Sequence, residues 1–366
     1  MTAPHVPVLA LLRDVDQARH FDAAAWNLVL PQLRHARLLA HVAALLQQRP
    51  WWGELPDALR RQCDAALVVA EAQRRSLVWE VGELARAFGA AGIPFVVLKG
   101  GAYVLAGVPP GLGREMSDLD VLVPHERLTE VRSTLLAHGW TIAEEDPENR
   151  RYFEQWQHQL PAFRHVVRRT MLDVHHHLIA PTGRFRSDAA AVLRDAVKAP
   201  GHEVLLPSPP DLILGAAAHF VRNKDGGSAI RDVLDGHELL ECAGGDPDFW
   251  ARLLARARET GLGRPLWFLL LAREVLLGSA PPPEVREVIA GIGAPAPVGA
   301  VLALLLRRGL VPDAVARPDA GTRLARKVLY VMALRAGLPV SVMVSRTVRR
   351  RFEEACAALR GEAATG

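Results

Sequence analysis

The chain has 366 residues, half of them apolar and 23% charged, with a formal net charge of +4. That length allows two or three compact units around at least one substantial core, and the balance excludes disordered and collagen-like chains. So small an excess of positive charge, with no dense Lys/Arg stripe, argues against nucleic acid as a partner.

In chain order, the apolar stretch within the N-terminal MTAPHVPVLALLRDVDQ is short, lacks a basic lead and runs into Asp14 and Asp16, so no signal peptide is expected. Up to about Ala91 the sequence reads as helix, with Leu77, Val81, Leu84 and Phe88 on the spacing of a buried face. Pro56 sits near a helix start, and Pro31 predicts a kink or break in an Ala/Leu-rich helix. Cys63, Cys242 and Cys356 stand far apart without a CxxC pair, which argues against a zinc knuckle or disulfide framework and fits a reducing cytoplasm.

The character changes at Gly92. IPFVVLKG, bounded by Pro94 and Gly100, reads as a buried strand whose alternation puts Lys99 on the face of Phe95 and Val97. Gly100 and Gly101 then read as a turn onto the helix AYVLAG, and the loop GVPPGLGREMS leads to a second strand, DLDVLVP. ERLTEVRSTLLAHGW reads as a helix closed by Gly139, and FRHVVRR and MLDVHHHLI as a hairpin turning at Thr170.

From Pro207 the pattern returns to helix through PPDLILGAAAHF and IRDVLDGHELLECA, with Pro/Gly joints around residues 278 to 298. The run VLYVMALRAGLPVSVMV is interrupted by Arg335, Gly337 and Pro339, so it predicts no membrane span but a buried helix. A membrane-surface helix is the alternative, since Arg323, Arg326, Lys327, Arg349, Arg350 and Arg351 flank the run. The expected architecture is α/β (α+β): a helical region over 1–91, a small mixed-sheet core over 92–206 and a helical domain over 207–366.

Strand alternation sends Asp118 and Asp120 to one side while Leu119, Val121 and Val123 pack inward. Like charges so close call for a cation, and oxygen-only ligands suit Mg²⁺, with Mn²⁺ as an alternative. Asp173, between Leu172 and Val174, would complete a three-carboxylate site able to hold two metal ions if its strand lies beside DLDVLV. The alternative for Asp173 is a pair with Arg168 or Arg169.

The bare backbone at Gly100 and Gly101 would let N–H groups approach a polyphosphate. Arg114 is placed to reach phosphate oxygens or to pair with Asp118, and Lys99 to neutralise a triphosphate or bridge to a core carboxylate. His175 and His177 share a strand face with Asp173, which leaves a zinc site as an alternative without an identifiable fourth ligand. His219, between Ala and Phe on a helix, reads as a core histidine before a catalytic base.

The order Gly-Gly, spacer, Asp-x-Asp strand, later strand with a lone Asp resembles the DNA polymerase beta nucleotidyltransferase superfamily. Within it, LKG followed by SDLDVLV is similar to a bacterial branch of uncharacterised proteins with an LKG...SDLDLLV signature, over residues 93 to 180. The resemblance implies that Asp118 and Asp120 bind both metals, that Asp173 binds the catalytic one, and that Gly100 and Gly101 contact the triphosphate. The superfamily more often has Gly-Ser at that turn, so Ser117 or Arg114 would supply the missing phosphate contact. His219 and Asp235 also lie in segments similar to that branch.

The implied activity is Mg²⁺-dependent transfer of a nucleoside monophosphate from an NTP, expected to be ATP, to a hydroxyl of a small-molecule acceptor, releasing pyrophosphate. The C-terminal helices would form the acceptor side, and Asp173 would assist deprotonation in the absence of a separate general base. The rivals are protein AMPylation and a catalytically silent nucleotide-binding sensor or scaffold.

Overall fold

The structure is a computed structural model and describes residues 7–143, 158–182, 184–185, 187–244, 246–312 and 318–337. It is a mixed α/β fold in which one seven-stranded sheet is flanked by N-terminal and C-terminal helices. The strands are β1 (Val96–Val97), β2 (Leu119–Leu122), β3 (Trp140–Ile142), β4 (Phe163–His165), β5 (Met171–His175), β6 (Val197–Lys198) and β7 (Leu205–Leu206). Their spatial order is β3-β4-β5-β2-β1-β7-β6. β2 runs parallel to β5 and antiparallel to β1, so the Asp-x-Asp strand has a partner on each side.

That central position explains the residues of β2. All four residues are buried, and Leu119, Val121, Leu172 and Val174 pack into the continuous core. On the N-terminal side the long helix Asp57–Ala90 starts directly after Pro56, as expected, and buries Leu77, Val81, Leu84 and Phe88. Pro31 does not break its segment, since it lies inside the helix Ala23–His35.

Three local expectations are corrected. β1 ends at Val97, and Lys99 is the first residue of the helix Lys99–Ala106, with φ of +49°. The two glycines therefore occupy the first helical turn and not a turn before it. The hairpin turn spans residues 166–170, with Arg169 at φ +64°, and is not confined to Thr170.

The third correction concerns the C-terminal apolar run. The helix Ala320–Gly337 buries Ala325, Ala333 and Ala336 but exposes Leu324, Tyr330 and Val331, so it is half-buried and not a core helix. The rest of that run, the arginines at 349–351 and Cys356 lie outside the described residues. Among the described residues no single helix is long and apolar enough to cross a membrane.

Candidate active site

The parallel pairing of β2 and β5 is in register, with Leu119 opposite Leu172, Asp120 opposite Asp173 and Val121 opposite Val174. Residues opposite each other share a face, so two acids flanked by core residues meet across the sheet. Asp120 is buried and Asp173 half-buried. The Asp120 Oδ1 accepts from Lys99 Nζ at 2.5 Å and lies 2.7 Å from His175 Nε2. Asp173 Oδ2 accepts from Gln159 Nε2 at 3.0 Å. Arg168, a candidate partner for Asp173, instead grips Glu80 through two nitrogens at 2.7 and 2.9 Å.

One ligand atom each from Asp120, Asp173 and His175 lie within 4.8 Å of one another, a group that could hold a metal ion. Burial, and then the charge of Asp120, raise the pKa of Asp173 to about 6. Burial also works to raise Asp120, but Lys99 and His175 outweigh it and hold that carboxyl well below its ordinary range. His175 is pushed down to about 4 by burial and by Lys99, so it is neutral at pH 7. The acids thus carry more negative charge than Lys99 alone balances.

Asp118 stands apart from this close group. It is exposed, precedes β2 and accepts from Ser117 Oγ at 3.0 Å. Its charge also helps to raise Asp173, and it lines the same cavity as Asp120. The third member of the tight cluster is therefore His175, with Asp118 at the rim. The expected His175–His177 face does not form: β5 ends at His175, and His177 turns to His176, their Nδ1 atoms 2.7 Å apart.

The cavity measures about 110 Å³. Its sheet side is formed by Lys99, Gly100, Arg114, Ser117, Asp118 and Asp120, and its far wall by Ala216, His219, Arg231, Asp232 and Asp235 from the helices Pro209–Phe220 and Ala229–Ala243. The two glycines differ. A Cβ on Gly100 would come 3.1 Å from Arg114 Nε, at the cavity, whereas one on Gly101 would come 2.9 Å from Val97 Cγ1. Gly101 is thus a packing glycine that lets the helix lie against β1, and only Gly100 borders the cavity.

Arg114 pairs neither with Asp118 nor with open solvent. Its Nη1 sits 2.5 Å from Asp235 Oδ1, and its guanidinium lies 5.5 Å from the centroid of the Tyr103 ring. Lys99 takes the bridge to a core carboxylate, Asp120. Ser117 Oγ accepts from Arg37 Nη1 at 3.1 Å.

Two residues escaped the sequence reading. Asp232 Oδ2 lies 2.9 Å from His219 Nδ1, so His219 is partnered, yet at the cavity wall and not in the core. Arg222 borders a small adjoining cavity with Lys99, His175 and His219. Burial lowers its pKa to about 10, and its Nη1 lies 2.9 Å from His158 Nδ1. The one signal for it in the sequence is its position three residues after His219, in the turn that ends that helix.

Two larger hollows complete the picture. An open one of about 380 Å³ runs along the long helix past Val68, Val69 and Leu77 and shares Met116, Ser117 and Asp118 with the acid cavity. Another, about 360 Å³ between C-terminal helices, is lined by Phe220, Trp267 and Phe268 and contains none of the candidate residues.

No curated protein matches the chain. The model of a family described as uncharacterised nucleotidyltransferase matches residues 22–278, which take in the long helix, the whole sheet and both helices of the cavity wall, and the chain belongs to that family.

Proposed function

We propose that the chain is a metal-dependent nucleotidyltransferase that moves AMP from ATP to a hydroxyl of a small-molecule acceptor and releases pyrophosphate. The observation that carries this reading is the in-register Asp120–Asp173 pair, in which Asp120 lines the cavity and Asp173 has its proton affinity raised by burial and by the neighbouring acids. Membership of the nucleotidyltransferase family supports transfer of a nucleotide in general.

The donor set fits a hard divalent cation. Asp118, Asp120 and Asp173 offer only oxygens, the class that Mg²⁺ and Mn²⁺ take, and they would hold two such ions. When bound, the metal polarises the phosphoryl group and acidifies the acceptor hydroxyl. The protein's own residues do the rest. Lys99 and His175 keep Asp120 ionised, and Asp120 raises the proton affinity of Asp173 and so sharpens its preference for a cation. Gly100 leaves room for phosphate oxygens near the start of the helix Lys99–Ala106. Arg114 contributes to phosphate binding while paired with Asp235, and Ser117 lies at the cavity rim.

In this reading residues 92–206 supply the metal site, 207–366 the acceptor wall and 1–91 the open hollow along the long helix. The hollows meet at Asp118, so two substrates can reach the acids from different sides. A cytoplasmic ATP pool would supply the donor. The second reading, transfer to a protein hydroxyl, draws on the same open hollow, where Val68 and Val69 are 68% and 53% exposed beside Asp118.

Thermal denaturation with each NTP, with and without Mg²⁺, tests the proposal on wild type and Asp120→Asn. A Mg²⁺-dependent rise in Tm with ATP, lost in the variant, is the expected result. No shift by any NTP at millimolar concentration would remove the nucleotide reading. Binding with no pyrophosphate release across an acceptor panel would mark a sensor. Label from α-phosphate-labelled ATP on partner proteins, and on no small molecule, would favour protein modification.

A further inference from the structure

We infer that His219 is the general base for the acceptor hydroxyl and that Asp232 positions it; the inference rests on the nucleotidyl-transfer reading above. His219 lies in the last turn of the helix Pro209–Phe220, and Asp232 in the first turn of Ala229–Ala243. The Asp232 Oδ2 lies 2.9 Å from His219 Nδ1 and also accepts from Asn223 Nδ2 at 2.8 Å. A buried carboxylate at Nδ1 fixes the proton there and leaves the Nε2 lone pair free.

Among the described residues Nε2 makes no hydrogen bond, and the ring, 29% exposed, lines the cavity that contains Asp118 and Asp120. The buried histidines His41 and His175 are already committed. His41 is held between Leu112 O and Glu238, and His175 faces Asp120. The groups around His219 set the sign of its environment. Arg222 stands in the turn that follows its helix, Lys99 and Tyr103 across from it, Arg231, Asp232 and Asp235 on the next helix, and Arg114, Glu115, Asp118 and Asp120 on the sheet side. The opposing charges are mixed, with Asp232 alone in contact.

In the proposed step the acceptor oxygen forms a bond to the α-phosphorus as its proton passes to His219 Nε2. The bond from the α-phosphorus to the oxygen bridging the β-phosphate breaks, and its electron pair leaves with pyrophosphate. Asp232 stabilises the imidazolium, which then returns its proton to solvent.

The test uses the full chain with Mg²⁺ and α,β-methylene-ATP for binding, and with ATP plus water, glycerol and a panel of hydroxyl compounds for turnover between pH 5.5 and 9. His219→Gln should bind the analogue as wild type does, lose about 10²–10⁴-fold in turnover and keep only the part of the acid limb that proton competition with Mg²⁺ at Asp173 imposes. Asp232→Asn should depress turnover and displace that limb, and Asp232→Glu should restore much of it. His219→Gln turning over like wild type with an unchanged acid limb would overturn the base while leaving nucleotidyl transfer intact. A wild type that fails to bind the Mg²⁺ analogue overturns the underlying reading instead. One that binds it but releases no pyrophosphate is a sensor with no base to assign, which overturns the inference as well.

Discussion

Acids line both walls of the cavity, but in opposite company. On the strand wall Asp120 faces Asp173, with Lys99 as the cation in contact, and Asp173 is driven up to about 6. On the helical wall each acid meets its own base, Asp235 with Arg114 and Asp232 with His219. Asp232 is fully buried, which works to raise its pKa, yet His219 and Arg231 hold it below the ordinary value. Like charges brought together by register store a demand for an outside cation, whereas paired acids satisfy one another and fix positions. The first wall is suited to a ligand and the second to orienting one.

The sharpest way to break this comparison is Asp120→Asn. It removes the anion that Lys99 and His175 share, and nucleotidyl transfer should fall by about 10²–10³-fold or more in a pyrophosphate-release assay. A variant that retained wild-type rates would place the chemistry elsewhere. On the helical wall the effect should appear in stability. Arg114→Ala leaves Asp235 buried without its cation and should cost about 3–5 kcal/mol in chemical denaturation. Arg114→Met combined with Asp235→Leu should recover much of that loss, because removing both partners leaves no orphaned charge.

The pH dependence sharpens the contrast further. The carboxyl of Asp173 binds its proton more tightly in the folded chain, at about 6 against an ordinary 3.8. Between those values the native state retains a proton that the unfolded chain has lost, so this group's contribution to stability falls as pH rises through the window. Mg²⁺ competes with the same proton, so the rise in Tm with Mg²⁺ should be larger at pH 8 than at pH 5, and Asp173→Asn should abolish the difference. Equal shifts at both values would show that Asp173 does not meet the ion.

Smaller effects separate the two glycines. Gly101→Ala sets a Cβ 2.9 Å from Val97 in the packed core and should destabilise by about 1–3 kcal/mol. Gly100→Ala meets flexible side chains of Arg114 and Met116 instead, so its effect should fall on Mg²⁺-dependent NTP affinity. Least of all, Ser117→Ala removes exposed hydrogen bonds to Arg37 and Asp118 and should change stability by no more than about 0.5 kcal/mol.

Much of the strand wall was legible because its signals are local. Asp120 and Asp173 each sit between core residues on strands of period two, so their shared orientation follows from alternation. The same rule misplaced Lys99, since the strand ends two residues earlier and a positive φ starts the helix there. It also could not separate Asp118, exposed at the rim, from buried Asp120, because the start of β2 is set by its pairing with β5. The helical wall left little local trace. Arg114 meets Asp235 across 121 positions, and nothing near either residue names the other.

The sequence by itself determined that β1, β2, β4 and β5 are strands, that the flanking segments are helical and that Asp120 and Asp173 each stand between core residues, since hydrophobic period and turn chemistry act over a few residues, whereas the short β3, β6 and β7 were not read from it. The tertiary structure alone decided that β5 lies beside β2, that His175 and not Asp118 closes the tight acid cluster, and that His219 stands at the cavity with Asp232 behind it. Those are questions of which charge meets which partner. They are settled by packing between segments far apart in the chain, where burial strengthens each charge's demand for a neighbour.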